Sequence, residues 1–496
     1  MTTNTTSFVL SEEKVEALLL NESKRALLWE RVTTAIEEHI TRIDEIAVAP
    51  PIDVSEIRAR LSVFDFNQAI EPLEAVDFAV ENLRRFQVHT PHPRYFGLFN
   101  PAPTAMGIAA DALVAAFNPQ IAAWSHSPFA AEVERHLIAA FAERFGYKAE
   151  TADGTFCSGG AEANHTALLC ALIEKFPQFA EKGLRGIDRQ PVFYVSSQSH
   201  HSFTKAARFC GLGTNSIREI KTDARFRISA EDLATQIEID RRNNFAPFFV
   251  VATAGTTNGG TIDDLIAVAE IARRENLWFH ADAAWGGAAV FVPELREFLR
   301  GIEHSDSITF DAHKWLSVPM GAGIFLTRHD RILGEACRVT TEYMPRDAGD
   351  FGVADPFTHS MQWSRRFTGL KVFLSLVVAG WEGYEGAIRR QTAMGDLLRE
   401  ELERSDWEIV NQTPLPVVCF RDRNFSGANE EAYLKAVADE VVSSGEAWIS
   451  ATRLSPTSPV LRACITNYRT RETDVKRLVT ILCKAREKLA ATNTLF

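Results

Sequence analysis

Five short segments carry residue types that could share one piece of chemistry. The sharpest is Asp311-Ala312-His313-Lys314-Trp315, directly after the strand-like run Ser307-Ile308-Thr309-Phe310. A lysine at a strand end is ordinarily an exposed charge. Here Phe310, Trp315 and Leu316 give it an apolar frame in which an ammonium is poorly solvated. Desolvation lowers a lysine pKa, and the neutral amine is the form that attacks an aldehyde. Asp282 closes a second apolar run, 32 residues before Lys314, and is followed by Ala283, Ala284 and Gly286-Gly287. Alone it reads equally as an N-cap. Buried at the edge of a parallel sheet, however, a carboxylate needs a cation, and a protonated pyridine nitrogen is one.

Three weaker signals have the same placement. Ser158-Gly159-Gly160 stands between the apolar TFC and the helix-like AEANHTALLCALIEKF. Small residues at a helix start leave N–H groups open to a phosphate, although a lone SGG is more often a plain turn. His200 follows the run PVFYV and could stack on an aromatic ring, and Thr256 follows PFFVVAT and could support that ring. Alone, these are a loop histidine and a turn. An activated lysine, a carboxylate for a pyridinium, a phosphate cradle and a stacking imidazole, all at strand ends, together describe a site for pyridoxal 5′-phosphate.

Those residues need elements to position them. Apolar runs at 191–195, 247–253, 277–282, 307–312 and 323–327 alternate with amphipathic stretches. Runs apolar on both faces and separated by helices predict a largely parallel α/β sheet. Residues 11–90 carry helical periodicity, punctuated by Pro50-Pro51 and by Pro91 and Pro93,. Beyond about 385, helices surround strands expected at 446–454 and 460–467. The division expected is an N-terminal helical segment over 1–95, a large cofactor-binding α/β domain over 96–384 and a small C-terminal α+β domain over 385–496.

Composition excludes several classes. The chain has 496 residues and a net charge of −12 without any Lys/Arg cluster, so no nucleic-acid partner is expected,. No apolar stretch reaches the roughly 18 residues of a membrane span, and the N-terminus lacks the pattern of a signal peptide. Seven scattered cysteines without CxxC pairs predict reduced thiols, a cytoplasmic setting and no metal site,.

The combination resembles the group II pyridoxal-phosphate-dependent amino-acid decarboxylases, the family of aromatic-L-amino-acid, histidine, glutamate and diaminobutyrate decarboxylases. Its carriers are HPRYFG (92–97), SGGAEAN (158–164), SQSHHS (197–202), VVATAGTTNGGTIDD (250–264), HADAAWGG (280–287), DAHKWL (311–316) and WSRRFTGLKV (363–372). The resemblance implies a fold-type I enzyme with a mostly parallel seven-stranded sheet. It implies that Lys314 is the Schiff-base lysine, that Asp282 pairs with the pyridinium and that His200 stacks on the ring. Ser158, Gly159, Gly160, Asp311 and His313 would lie near the phosphate or the reacting carbon, with Thr256 and Ala284 lining the ring. Tyr343 falls where the family carries a mobile-loop proton donor that reaches the neighbouring subunit, which implies a homodimer. Arg366 matches an arginine near the substrate, and Phe99, Asn100, Trp124, His126 and Ser364 are candidate specificity positions.

Two departures bear on substrate. Asp311 stands where the animal aromatic enzymes carry asparagine, and Asn100-Pro101 replaces their Pro-Thr step. No arginine reads as a clamp for a second carboxylate, which disfavours aspartate and glutamate. The expected reaction is decarboxylation of an L-amino acid to its amine. The rivals are oxidative decarboxylation to an aldehyde, a transaminase or carbon–carbon lyase on the same scaffold, and a catalytically silent binding protein. Retention of both Tyr343 and His200 favours simple decarboxylation over the aldehyde route.

Overall fold

The computed structural model of the chain describes residues 18–339 and 353–491. Helices α1 (Glu22–Arg42), α2 (Val54–Leu61) and α3 (Pro72–Arg85) form the N-terminal segment. Asn21 and Asp53 accept N–H bonds from the first turns of α1 and α2, and Pro72 opens α3, so each start follows from local sequence,. Most of the helix expected over 11–20 lies outside the described residues.

Helices α4 (Ala105–Phe117) and α5 (Pro128–Arg144) lead to strand β1 (Asp153–Cys157) and helix α6 (Gly160–Lys175). There follow β2 (Pro191–Ser196), α7 (Ser202–Phe209), β3 (Ile217–Ile220), α8 (Ala230–Arg242) and β4 (Ala246–Thr253). Helix α9 (Leu265–Arg274), β5 (Trp278–Asp282), β6 (Ser307–Asp311) and β7 (Gly323–Thr327) complete the large unit. The seven strands form one sheet in the order β1-β7-β6-β5-β4-β2-β3. Only β7 runs against the others, so the expectation of a mostly parallel seven-stranded sheet holds.

Both faces of this sheet are covered. Along β2, Val192 and Tyr194 enter one buried cluster while Phe193 and Val195 enter the other. That is why the strands read as unbroken apolar runs rather than as alternating ones. Helix α10 (Gly369–Arg404), broken at Gly380 with φ 64°, runs from the large unit into the C-terminal one. There β8 (Trp407–Ile409), β9 (Val417–Asp422), β10 (Ser450–Ser455) and β11 (Ser458–Cys464) form an antiparallel sheet in the order β10-β11-β9-β8. Helices α11 (Glu430–Ser443) and α12 (Glu472–Ala491) pack on it around Trp407, Phe420, Leu434 and Leu482. Phe96 joins that core, so the segment after α3 is tied to the C-terminal sheet.

Candidate functional site

Parallel strands end on one edge of the sheet, and the loops leaving that edge carry the residues singled out above. Asp282 is the last residue of β5, paired in register with Thr253 on β4 and Thr309 on β6. Asp311 is the last residue of β6, and its N–H donates to Ala284 O at 2.9 Å. Lys314 sits in the turn that follows, its Nζ 2.9 Å from Asp311 Oδ2. Phe310, Trp315 and Leu316 are buried as expected, but they face the core. The Lys314 side chain keeps 24% exposure, so the apolar frame seats the turn and does not close over the ammonium.

The glycine turn meets this lysine turn closely. A Cβ on Gly160 would stand 2.8 Å from Asp311 Oδ2 and 3.4 Å from Ala284 Cβ, and one on Gly159 3.5 Å from His313 Cε1. Ser158, Gly159, Gly160, Ala284, Asp311, His313 and Lys314 are thus brought together. Glu162 accepts from both the N–H and the hydroxyl of Ser158, at 2.8 and 2.7 Å. The same carboxylate receives Gln362 Nε2. This bond from the third helical position steadies the start of α6, where Glu162 N–H meets Gly159 O at 3.0 Å while the N–H groups of Gly160 and Ala161 precede any helical carbonyl,.

Two histidines flank the site in neutral form. His313 Nδ1 accepts from Ala322 N–H at 3.1 Å, which leaves the proton on Nε2, and burial lowers its pKa,. His200 Nδ1 accepts from Ser202 N–H at 3.2 Å. Its ring keeps an exposed edge, yet the protein around it lowers its pKa by desolvation, with Asp282 pulling the other way. Thr256 is buried, and its hydroxyl accepts from Thr261 N–H at 3.0 Å, closing the turn after β4.

Asp282 is 4% exposed. Its oxygens accept from Asn164 Nδ2 at 3.0 Å and from Ala284 N–H at 3.2 Å. Among the described residues no Lys or Arg pairs with it. A buried carboxylate held only by neutral donors is short of a cation, which fits a protonated pyridine nitrogen. With the open N–H groups of α6 for a phosphate and the Lys314 amine for an aldehyde, the residues present fit pyridoxal 5′-phosphate.

The expected substrate residues divide. Phe99 stacks on Trp285 at 4.3 Å, and Trp285 adjoins Trp315 at 5.5 Å, beside the lysine turn. Asn100 Nδ2 lies 2.9 Å from Met320 Sδ. Trp124 Nε1 donates to Glu132, and Ser364 Oγ accepts from Gln120, in a neighbouring cluster. Arg366 is 54% exposed and binds Asp111, whereas Arg365 beside it is buried against Glu134 at 2.5 Å. Tyr343 lies outside the described residues.

Sequence reasoning missed two residues here. Asn164 sits inside SGGAEAN, where an amide in a helix reads as surface; its place between Ala163 and Ala167 was the available signal that it faces inward. Arg462 is 2% exposed, stacks over Phe99 at 5.0 Å and donates to Gly97 O and Thr257 O. Its Nη2 has no hydrogen-bond partner among the described residues. A cation on an antiparallel strand of another unit gives no hint in sequence that it lies near residue 99.

Comparison with known proteins identifies the family. The profile described as the pyridoxal-dependent decarboxylase conserved domain matches residues 58–423, more than half of the chain. An aromatic-L-amino-acid decarboxylase of Bacillus atrophaeus is 31% identical over 465 residues, 92% of this chain and 94% of its own length. The mouse (Mus musculus) cysteine sulfinic acid decarboxylase is 32% identical over 338 residues, 68% of each chain. Among solved structures, Oryza sativa TDC with PLP and tryptamine superposes with a TM-score of 0.88 at 25% identity, covering 95% of this chain and 99% of that one. The site and these matches agree: the chain belongs to the pyridoxal-dependent decarboxylase family, a carboxy-lyase of fold type I with pyridoxal 5′-phosphate as its cofactor.

Proposed function

We propose that the chain removes the α-carboxylate of an L-amino acid as CO₂ and releases the amine, with Lys314 as the residue that holds the cofactor aldehyde between turnovers. The observation that carries this reading is the convergence of Lys314, the cation-deficient Asp282 and the first turn of α6 on one sheet edge. Bound there, the cofactor supplies an electron-withdrawing ring that accepts the electron pair of the breaking carbon–carboxylate bond. Asp282 holds a proton on the ring nitrogen by charge. His200 is the aromatic side chain available to cover the ring, and Gly159 and Gly160 present N–H groups to the phosphate. Phe99, stacked on Trp285, is the apolar side chain available to exclude water beside the reacting carbon, which favours loss of a charged carboxylate,. His313 carries a proton on Nε2, and Tyr343 is the second candidate to protonate the α-carbon,.

Arg462 bears on substrate class. It is a buried cation over the expected substrate residue Phe99, so short acidic amino acids belong in the substrate screen beside aromatic ones,. We also infer a cytoplasmic homodimer. All seven cysteines are free thiols. Leu113 and Phe117 on α4 and Val377 and Val378 on α10, two helices packed together, leave 46–82% of their apolar side chains exposed, a surface that a second copy would cover,.

The test is product analysis over the common L-amino acids, diaminobutyrate, ornithine and cysteine sulfinate. Equimolar CO₂ and amine support the reading. Aldehyde with ammonia and hydrogen peroxide would replace it by the oxidative route, and accumulation of the pyridoxamine form by transamination.

A further inference from the structure

Behind Asp282 a chain of hydrogen bonds crosses the buried face of the sheet. Trp278 Nε1 donates to Ser307 Oγ at 2.9 Å, and Ser307 lies 2.8 Å from His280 Nδ1. His280 Nε2 lies 3.0 Å from Asn164 Oδ1, and Asn164 Nδ2 donates to Asp282 Oδ2 at 3.0 Å and to Ser202 Oγ at 2.9 Å. Thr309 Oγ1 donates to the same Asn164 Oδ1 at 2.6 Å.

Chemistry fixes the direction of every link. An indole N–H only donates, so the Ser307 hydroxyl hydrogen is free to turn to His280 Nδ1. A carboxylate only accepts, so the amide nitrogen of Asn164 must face Asp282 and its oxygen must face His280. His280 is therefore the Nε2–H tautomer. Burial pushes its pKa down to about 3, so it brings no charge. Asn164, His280, Ser307 and Thr309 are each 0–1% exposed, and Ser202 is 3% exposed. Every donor behind Asp282 is neutral and locked.

That arrangement has a consequence for charge. A lysine or arginine in the place of Asn164 would neutralise Asp282, and an apolar residue would leave one oxygen of a buried carboxylate without a donor. An amide does neither: it fixes the oxygen and leaves the charge in force.

We propose that Asn164, held in turn by His280 and Thr309, is a positioning residue that keeps Asp282 an oriented and uncompensated anion, so that the cofactor's ring nitrogen is its only cationic partner. This rests on the reading that Asp282 pairs with that nitrogen. Asn164 acts through Asp282 and touches no reacting atom.

The experiment compares the affinity of the cofactor-stripped full-length chain for pyridoxal 5′-phosphate and for its 1-deaza analogue, in which carbon replaces the ring nitrogen, by fluorescence titration. The unaltered chain should prefer the natural cofactor. Asp282→Ala should abolish that preference; if it persists, the reading of Asp282 fails. Asn164→Ala should cut the preference by about tenfold or more while changing affinity for the deaza analogue little. A merely structural role would weaken both ligands equally. Equal losses, or none, with Asp282→Ala still decisive, would overturn the proposal while the Asp282 reading stands. Asn164→Leu nearly keeps the volume but offers no donor, and should also cut the preference; it serves if the alanine variant does not fold.

Discussion

Lys314 reaches the crevice because β6 stops at Asp311 and the chain turns at once, Lys314 N–H returning to Asp311 O at 3.1 Å. That turn leaves its amine next to a carboxylate with 1% exposure, so the lysine is the counter-ion of Asp311 until an aldehyde arrives. Lys314→Ala should therefore abolish covalent retention. After borohydride treatment the unaltered chain gains the mass of the reduced cofactor and the variant does not; a gain in the variant would place the linkage elsewhere. Asp282→Asn keeps the shape and the bond from Asn164 but removes the charge. Its kcat for CO₂ release should fall about 100- to 1000-fold, the loss typical of one preorganised electrostatic contact. Normal turnover would exclude the pyridinium role. The residues proposed to hold the cofactor were legible because Lys314, Asp282 and His200 are chemically distinctive side chains at strand ends. Asn164 and Arg462 were not, since a supporting amide and a cation contributed by another unit carry no local signature.

At the scale of elements, strand ends decide the site, and glycines decide how near those ends approach. A Cβ on Gly286 would fall on Ala254 O, so the loops after β4 and β5 meet backbone to backbone. Gly323 on β7 lies as close to the turn before α6, where a Cβ would stand 2.5 Å from Gly159 Cα. Gly286→Ala must push the two loops apart. It should lower stability by about 1–3 kcal/mol, read as a fall in the urea midpoint, and weaken cofactor binding together with it. An unchanged midpoint would mean that the loops yield freely. The strands that carry these loops were readable because β2, β4, β5, β6 and β7 are buried on both faces. The edge strand β3 was not, because Arg218 and Glu219 break its apolar run. Strand β1 was not either, its first half being Asp153 and Gly154, both half-buried.

For the whole molecule, buried titratable groups set the response to acid. His92 and His280 are 0% exposed, and burial pushes each pKa down to about 3. Unfolded, each takes a proton near pH 6.5. Their contribution to stability is thus present above pH 6.5 and is lost as pH falls toward 3. Asp263 opposes them: burial raises its pKa to about 6, so between roughly pH 4 and 6 the folded chain holds a proton that the unfolded chain does not,. Of these three groups two favour the unfolded state with a proton in that window and one the folded state, so together they lower stability by about 1.4 kcal/mol per pH unit on acidification,. His39, His89, His165 and His313, also lowered by burial, add to the same side. His92 lies in the segment between α3 and α4, where its Nδ1 accepts from Arg94 N–H at 3.0 Å, and it makes no contact with Lys314, Asp282 or His200 in the hydrogen bonds of the described residues. Replacing it, His92→Asn, should reduce the slope of stability against pH by about one proton between pH 4 and 6 without altering cofactor binding at pH 7. Urea unfolding at half-unit pH steps measures that slope. A profile parallel to the unaltered chain would show that His92 titrates alike in both states, and that the acid response belongs to other groups.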